Sequence, residues 1–137
     1  MNTLITKIDD IKFELQAIQD FIEIPISEEM AEVEQRGNDL AVYMARSGKL
    51  LADAKYHRDE KLKSAIVEEL KKILQLAPST ANKYIDALTK EENYLVAWSE
   101  RVNRTCTHQQ DWCRTLISKA KEELRISSYG STTGRTS

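Results

Sequence analysis

Apolar side chains recur along the first stretch of the chain at Leu4, Ile8, Ile11, Leu15, Ile18 and Ile22, in steps of four, three, four, three and four. Alternating steps of this kind keep one stripe on one face of an α-helix and mark a coiled-coil seam. Ile5 and Phe21 widen the stripe, so residues 3–23 are predicted as an amphipathic helix, closed by Pro25. Ser27, followed by Glu28 and Glu29, offers an N-cap and negative charge where a helix start favours both. A second seam then runs through Met30, Val33, Gly37, Leu40, Met44, Ser47, Leu51 and Ala54, and no proline intervenes before Pro78. Residues 28–76 are therefore predicted as one long helix, about 70 Å if continuous, which needs packing partners along its length.

Two features interrupt this second pattern. Gly37, Ala41, Ala45, Gly48 and Ala52 place small residues mid-helix, which fits either close approach of a neighbouring helix or a kink at Ser47 and Gly48. Between Ala54 and Lys61 the seam fails, since Arg58 and Lys61 stand where apolar residues are due, and it resumes in a new phase at Leu62, Ile66, Leu70 and Ile73.

After the junction Pro78-Ser79-Thr80, residues 80–88 are predicted as a short helix carrying Tyr84, Ile85 and Leu88. Thr89 and Glu92 have capping-box spacing, which opens a last helix over residues 90–126. Its apolar set runs from Leu95 and Trp98 through Val102, Cys106, Trp112 and Cys113 to Leu116, Ile117, Ala120 and Leu124. The polar run Asn103 to Gln110 interrupts that set, with Thr105 and Gln109 at seam positions. Such a layer fixes register or oligomer state, or else it faces a pore or ligand. Residues 127–137, rich in Ser, Thr and Gly, have little to bury and are expected to be a disordered tail.

The pattern predicts an all-α fold: one domain over residues 1–126, built from long amphipathic helices in a coiled-coil-like bundle. Homo-oligomers are expected, with Leu4, Ile8, Ile11, Leu15, Ile18, Ile22, Met30, Val33, Leu40 and Met44 as the oligomer interface. Composition agrees. In 137 residues there are only four Gly and two Pro, and charged residues make up 31%, the profile of long helices rather than of a strand-rich fold. Asp9, Asp10, Lys12 and Glu14 exclude the first helix as a signal peptide or membrane span, and two thiols without a signal peptide point to a reducing cytoplasm. No membrane association is expected.

Charge changes the picture more than composition does. The net charge is −2, but residues 1–45 hold ten acids and three bases, whereas residues 46–63 hold six bases and three acids and residues 94–126 six and four. If the two basic stretches converge, they form a cationic surface on an otherwise acidic protein; if not, they are ordinary solvated helix faces. Candidate chemistry is sparse. His57 and His108 have no partners at metal-ligand spacing, Cys106 and Cys113 are too far apart along one helix to bridge, and no glycine-rich turn or oxyanion platform accompanies a nucleophile. A non-enzymatic protein without metal or cofactor is expected.

The segment Arg46, Lys49, Lys55, Tyr56, His57, Arg58, Lys61 and Lys63 mixes bases with an aromatic ring, the pairing that neutralises phosphates and stacks bases of single-stranded nucleic acid. Asp53, Asp59 and Glu60 dilute it. Lys55, Tyr56, Arg58, Lys61, Arg101 and Arg104 are the candidate nucleic-acid contacts. A second pattern, Leu76 to Ile85, has the cadence of a helix-turn-helix, with Ser79, Thr80, Asn82 and Lys83 opening a recognition helix toward duplex DNA. A helix, a proline turn and a capped helix would look the same.

The basic and aromatic patch at Lys55, Tyr56 and Arg58, a variable link, and a final amphipathic helix entered by Tyr94 and Trp98 together resemble the small recombination mediators of T-even-type phages, the UvsY-like family. The resemblance spans roughly residues 40–125. It implies a helical oligomeric ring in the host cytoplasm that binds single-stranded DNA and helps load a recombinase, with Lys55 and Arg58 as DNA contacts and Tyr56 as a stacker. The acidic, heptad-bearing first 45 residues and the near-neutral total charge depart from that pattern. Two alternatives stay open: a coiled-coil adaptor without nucleic-acid binding, and a duplex DNA binder acting through the helix-turn-helix.

Overall fold

A computed structural model of the chain describes residues 4–135, with side chains through Tyr129. Among these residues there are five α-helices and no strand: α1 (Ile8–Ile22), α2 (Met30–Glu68), α3 (Leu70–Leu74), α4 (Pro78–Leu88) and α5 (Lys90–Arg135). The all-α class follows from the patterning above. α2 and α5 form the principal interface. They run antiparallel, since Gly37 lies against Cys113 while Ser47 accepts a hydrogen bond from Asn103. α1 lies along both, antiparallel to α2, with Thr6 at Asp53, Glu14 at Arg46 and Ile24 at Arg36. α3 and α4 form the connection at the far end of this hairpin.

The heptad stripe assigned to an oligomer interface packs inside the chain itself. Ile11, Leu15, Ile18, Ile22, Val33 and Leu40 are buried in the core, Ile8, Met30 and Met44 pack against it half-buried, and Leu4 alone of the set is exposed. Each fully buried aliphatic side chain stabilises the fold by roughly 1.5–3 kcal/mol relative to an exposed one. The stripe therefore stabilises the inward faces of α1 and α2 in an intramolecular three-helix bundle. Leu50, Leu95, Val102, Cys106 and Cys113 complete that core.

Several boundaries differ from the sequence expectation. α2 begins at Met30 rather than 28, because Glu29 and not Ser27 is the N-cap. The Glu29 carboxylate accepts from the amides of Ala31 and Glu32, while Ser27 Oγ accepts from the Glu29 amide at 3.0 Å. α2 then continues unbroken through Gly37 and Gly48. It stops at Glu68, so the helix expected over 28–76 is divided into α2 and the single turn α3. The dividing residue, Glu69, is held from outside: Tyr84 of α4 donates its hydroxyl to the Glu69 carboxylate at 3.1 Å.

Pro78 sits in the first turn of α4, where its missing N–H costs nothing. Thr89 separates α4 from α5 and is buried, its hydroxyl donating back to the carbonyls of Ile85 and Asp86. α5 does not end at Ile126 but runs to Arg135, so the stretch expected as a disordered tail is helical over 127–135; residues 136 and 137 lie outside the described residues. A helix already nucleated over the 37 residues from Lys90 to Ile126 propagates without further nucleation cost, and no proline stops it here. Residues 121–129 are all exposed, so this part of α5 outruns the bundle.

Candidate functional site

Both interruptions of the seam adjoin fastening points between helices. Just ahead of the first, Lys49 donates to the Leu4 carbonyl at 2.7 Å and the Thr6 amide donates to Asp53 at 2.9 Å. The His57 ring lies 2.7 Å from the Thr6 carbonyl. The segment entering α1 has free backbone groups that a purely apolar seam would leave unsatisfied, and these side chains satisfy them. Asp53 is buried, which pushes its carboxyl up, but hydrogen bonds from Lys49 and Thr6 outweigh the burial and hold it below its ordinary value.

At the second interruption Asn103 donates to the Met44 carbonyl and to Ser47 Oγ, at 2.9 and 3.0 Å. Gln109 donates to the Ile22 carbonyl at 2.8 Å, and Arg36 donates to the Ile24 carbonyl and to Gln109 Oε1. The bonds from Gln109 and Arg36 cover carbonyls left open at the C-terminal end of α1 and in the loop after it, while Asn103 ties α5 to the middle of α2. The polar run is thus a registry layer between α1, α2 and α5. Arg36 also lies over the Phe21 ring, 4.5 Å from its centroid.

The thiols do not offer a nucleophile. Cys106 and Cys113 are buried and free, and burial pushes both up from the ordinary thiol value while the charge of Arg36 opposes the shift. Among the described residues no cluster of three or more His, Cys, Asp or Glu side chains is placed to hold a metal ion, and no helix is long and apolar enough to cross a membrane.

One accessible groove, of about 670 Å³, lies where the start of α5 meets α1, α2 and α4. Lys12 of α1, Lys61 of α2, and Lys90, Glu91, Glu92 and Tyr94 of α5 line it. Helix periodicity explains the convergence: Lys61 projects from the face of α2 that α1 covers further along, and Lys90 opens α5 directly after the Thr89 break. Lys12 donates to Glu91, and that hydrogen bond raises the Lys12 ammonium above its ordinary value. Lys61 and Lys90 have no ion pair among the described residues, and Tyr94 is exposed with its ring 6.0 Å from that of Trp98. Three lysines thus face two carboxylates in the groove, and two of the three, Lys61 and Lys90, stand outside any ion pair among the described residues beside an exposed aromatic ring.

Of the six residues expected to contact nucleic acid, only Lys61 lines this groove. Lys55 and Tyr56 are exposed on α2, but Lys55 and Lys61 are six residues apart, about 120° around the helix. Tyr56 packs edge-on against His57, Arg58 is half-buried and paired with Asp59, and Arg104 pairs with Glu100 one turn away. Arg101 is exposed with no ion pair among the described residues. Lys12, Lys90 and Tyr94 were missed as a set with Lys61 because the four come from three separate helices, α1, α2 and α5. In the helix-turn-helix pattern, Ser79, Thr80, Asn82 and Lys83 are exposed on α4 after a three-residue turn, yet α3 is a single turn and α4 carries one base and one acid. Compared with known proteins, the chain matches no family model, no curated protein and no solved structure.

Proposed function

We propose that the chain is a non-enzymatic protein that binds single-stranded nucleic acid through the groove between α1, α2, α4 and α5. The observation that carries this is the convergence of Lys61 and Lys90, neither in an ion pair among the described residues, on the exposed ring of Tyr94. Unneutralised ammonium groups bind phosphates by releasing counterions, and an adjacent exposed ring gives a base a face to stack on. The resemblance to phage recombination mediators adds the role: the bound strand is the substrate of a recombinase that the protein, as a homo-oligomer, helps to load. Duplex binding through α4 has less behind it, since its one lysine is balanced by Asp86 and duplex sites neutralise several phosphates.

The test is fluorescence anisotropy of a labelled single-stranded oligonucleotide titrated with the full chain at increasing salt. Binding is expected at low salt, weakening steeply as salt rises, and Lys61→Glu with Lys90→Glu should abolish it. Binding absent even at low salt refutes the proposal. A coiled-coil adaptor role is favoured by one observation, the exposed end of α5, where Leu124, Ile126 and Tyr129 are all more than half exposed. Self-association through that segment is compatible with strand binding at the opposite end of α5.

A further inference from the structure

Beside the core stripe of α5, which runs through Leu95, Ser99, Val102, Cys106, Gln109 and Cys113, a second stripe lies one residue behind it at Tyr94, Trp98, Arg101, Thr105, His108 and Trp112. Its steps of four, three, four, three and four keep it on one edge of the helix. Tyr94 is 65% and Trp112 53% exposed, Arg101 and His108 are exposed, and Trp98 is half-buried. Both tryptophans of the chain fall in this one row. Single exposed aromatics need no explanation, but a row at helical spacing does.

The row is fixed rather than loose. Trp98 Nε1 donates to Gln19 of α1 at 3.0 Å, and its ring sits 6.0 Å from Tyr94. It is also continuous with the groove at Lys61 and Lys90, and one heptad beyond Trp112 it reaches exposed Lys119. Three carboxylates border it: Glu91, which pairs with Lys12, Asp111, which pairs with Arg114, and Glu23, which accepts from Gln19. Cations thus outnumber free carboxylates along its length, which favours an anionic polymer over an acidic or apolar helix as occupant.

Resting on the nucleic-acid reading above, we infer that the bound single strand leaves the groove at Tyr94 and runs along this edge of α5 to Trp112, with bases stacked on Tyr94 and Trp112 and phosphates near Arg101 and Lys119. Tyr94 and Trp112 are 18 positions apart, about 27 Å at 1.5 Å per residue. That span takes a handful of nucleotides, within the ~4–16 covered by known stacking platforms.

The experiment uses the full chain and labelled oligothymidines of about four, eight and twelve nucleotides, read by anisotropy and by tryptophan fluorescence. The longer strands should quench tryptophan emission. Trp112→Ala should weaken their binding roughly five-fold or more, Trp112→Phe should restore most of it, and the shortest strand should be less sensitive. A duplex of equal length should bind less tightly. Thermal melts confirm that the variants fold, as expected for a half-exposed position. If Trp112→Ala binds the long strands like the wild type while Lys61→Glu with Lys90→Glu does not, the track along α5 is overturned and the groove stands. If the wild type binds no oligonucleotide at low salt, both fall.

Discussion

Arg36 of α2 and Gln109 of α5 meet across the bundle at 2.8 Å, and between them they cover two carbonyls of the α1 segment, Ile24 through Arg36 and Ile22 through Gln109. Arg36 is 8% exposed, and its Nε has no partner. The pair joins three helices in a single layer. Removing one member leaves buried groups unsatisfied, so Arg36→Ala is expected to destabilise the fold by about 2–3 kcal/mol and Gln109→Ala by about 1–2 kcal/mol. In chemical denaturation the double variant should lose less than the two single losses combined, and strict additivity would show that the pair does not act as a unit.

The glycines of α2 are open to improvement. A methyl group on Gly37 would meet Cys113 Cβ at 3.7 Å and one on Gly48 would meet Asn103 Nδ2 at 3.7 Å, both ordinary contact distances. Ala gains helix propensity over Gly, so Gly37→Ala and Gly48→Ala should each raise stability by about 0.5–1 kcal/mol, measured by thermal or urea unfolding. A loss at either position would mean that α2 and α5 lie closer than 3.7 Å implies.

Asp53 makes the fastening of the N-terminal segment pH-dependent. Its folded carboxyl lies below the ordinary value of 3.8, so its contribution to stability is fully present above that value and is lost as pH falls through the folded value. Asp53→Asn should therefore be less stable than the wild type at neutral pH, with the gap narrowing below about pH 4. Urea melts across that range check it, and a gap that stays constant would show that the Asp53 charge is not what Lys49 and Thr6 hold.

Cys106 and Cys113 should resist thiol reagents in the native state, because both are buried and burial raises their thiols. Labelling with a chromogenic disulfide near pH 8 should be slow until denaturant is added. Rapid labelling of both thiols in native buffer would contradict the core described for α5.

The helices and their apolar faces were legible in the sequence because a 3–4 repeat such as Ile8 to Ile22 has one structural meaning, although the helix expected from residue 3 begins only at Ile8 and leaves Leu4 exposed. What it cannot carry is whose surface the stripe meets: Ile11, Leu15 and Leu40 show the same spacing whether the partner is a second chain or α5 of the same one. The division at Glu69 was hidden because no Gly or Pro marks it; the residue that holds it, Tyr84, is fifteen positions away. The polar interruptions looked like sites because their hydrogen-bonding partners, in the N-terminal segment, around the end of α1 and in α2, are distant in sequence. The groove was half legible. Lys61 stood out as a base at an apolar position, but Lys12, Lys90 and Tyr94 join it only once three helices pack. The outer stripe of α5 was available as a second 3–4 repeat, overshadowed by the core stripe next to it.

The most direct test of the proposed function is the mass of the full chain in solution by light scattering, with and without a single-stranded oligonucleotide at low salt. Co-elution of the oligonucleotide with the protein, at a mass raised by at least one bound strand per assembly, is the expected result. A mass unchanged by the oligonucleotide, with the two eluting apart, would contradict it.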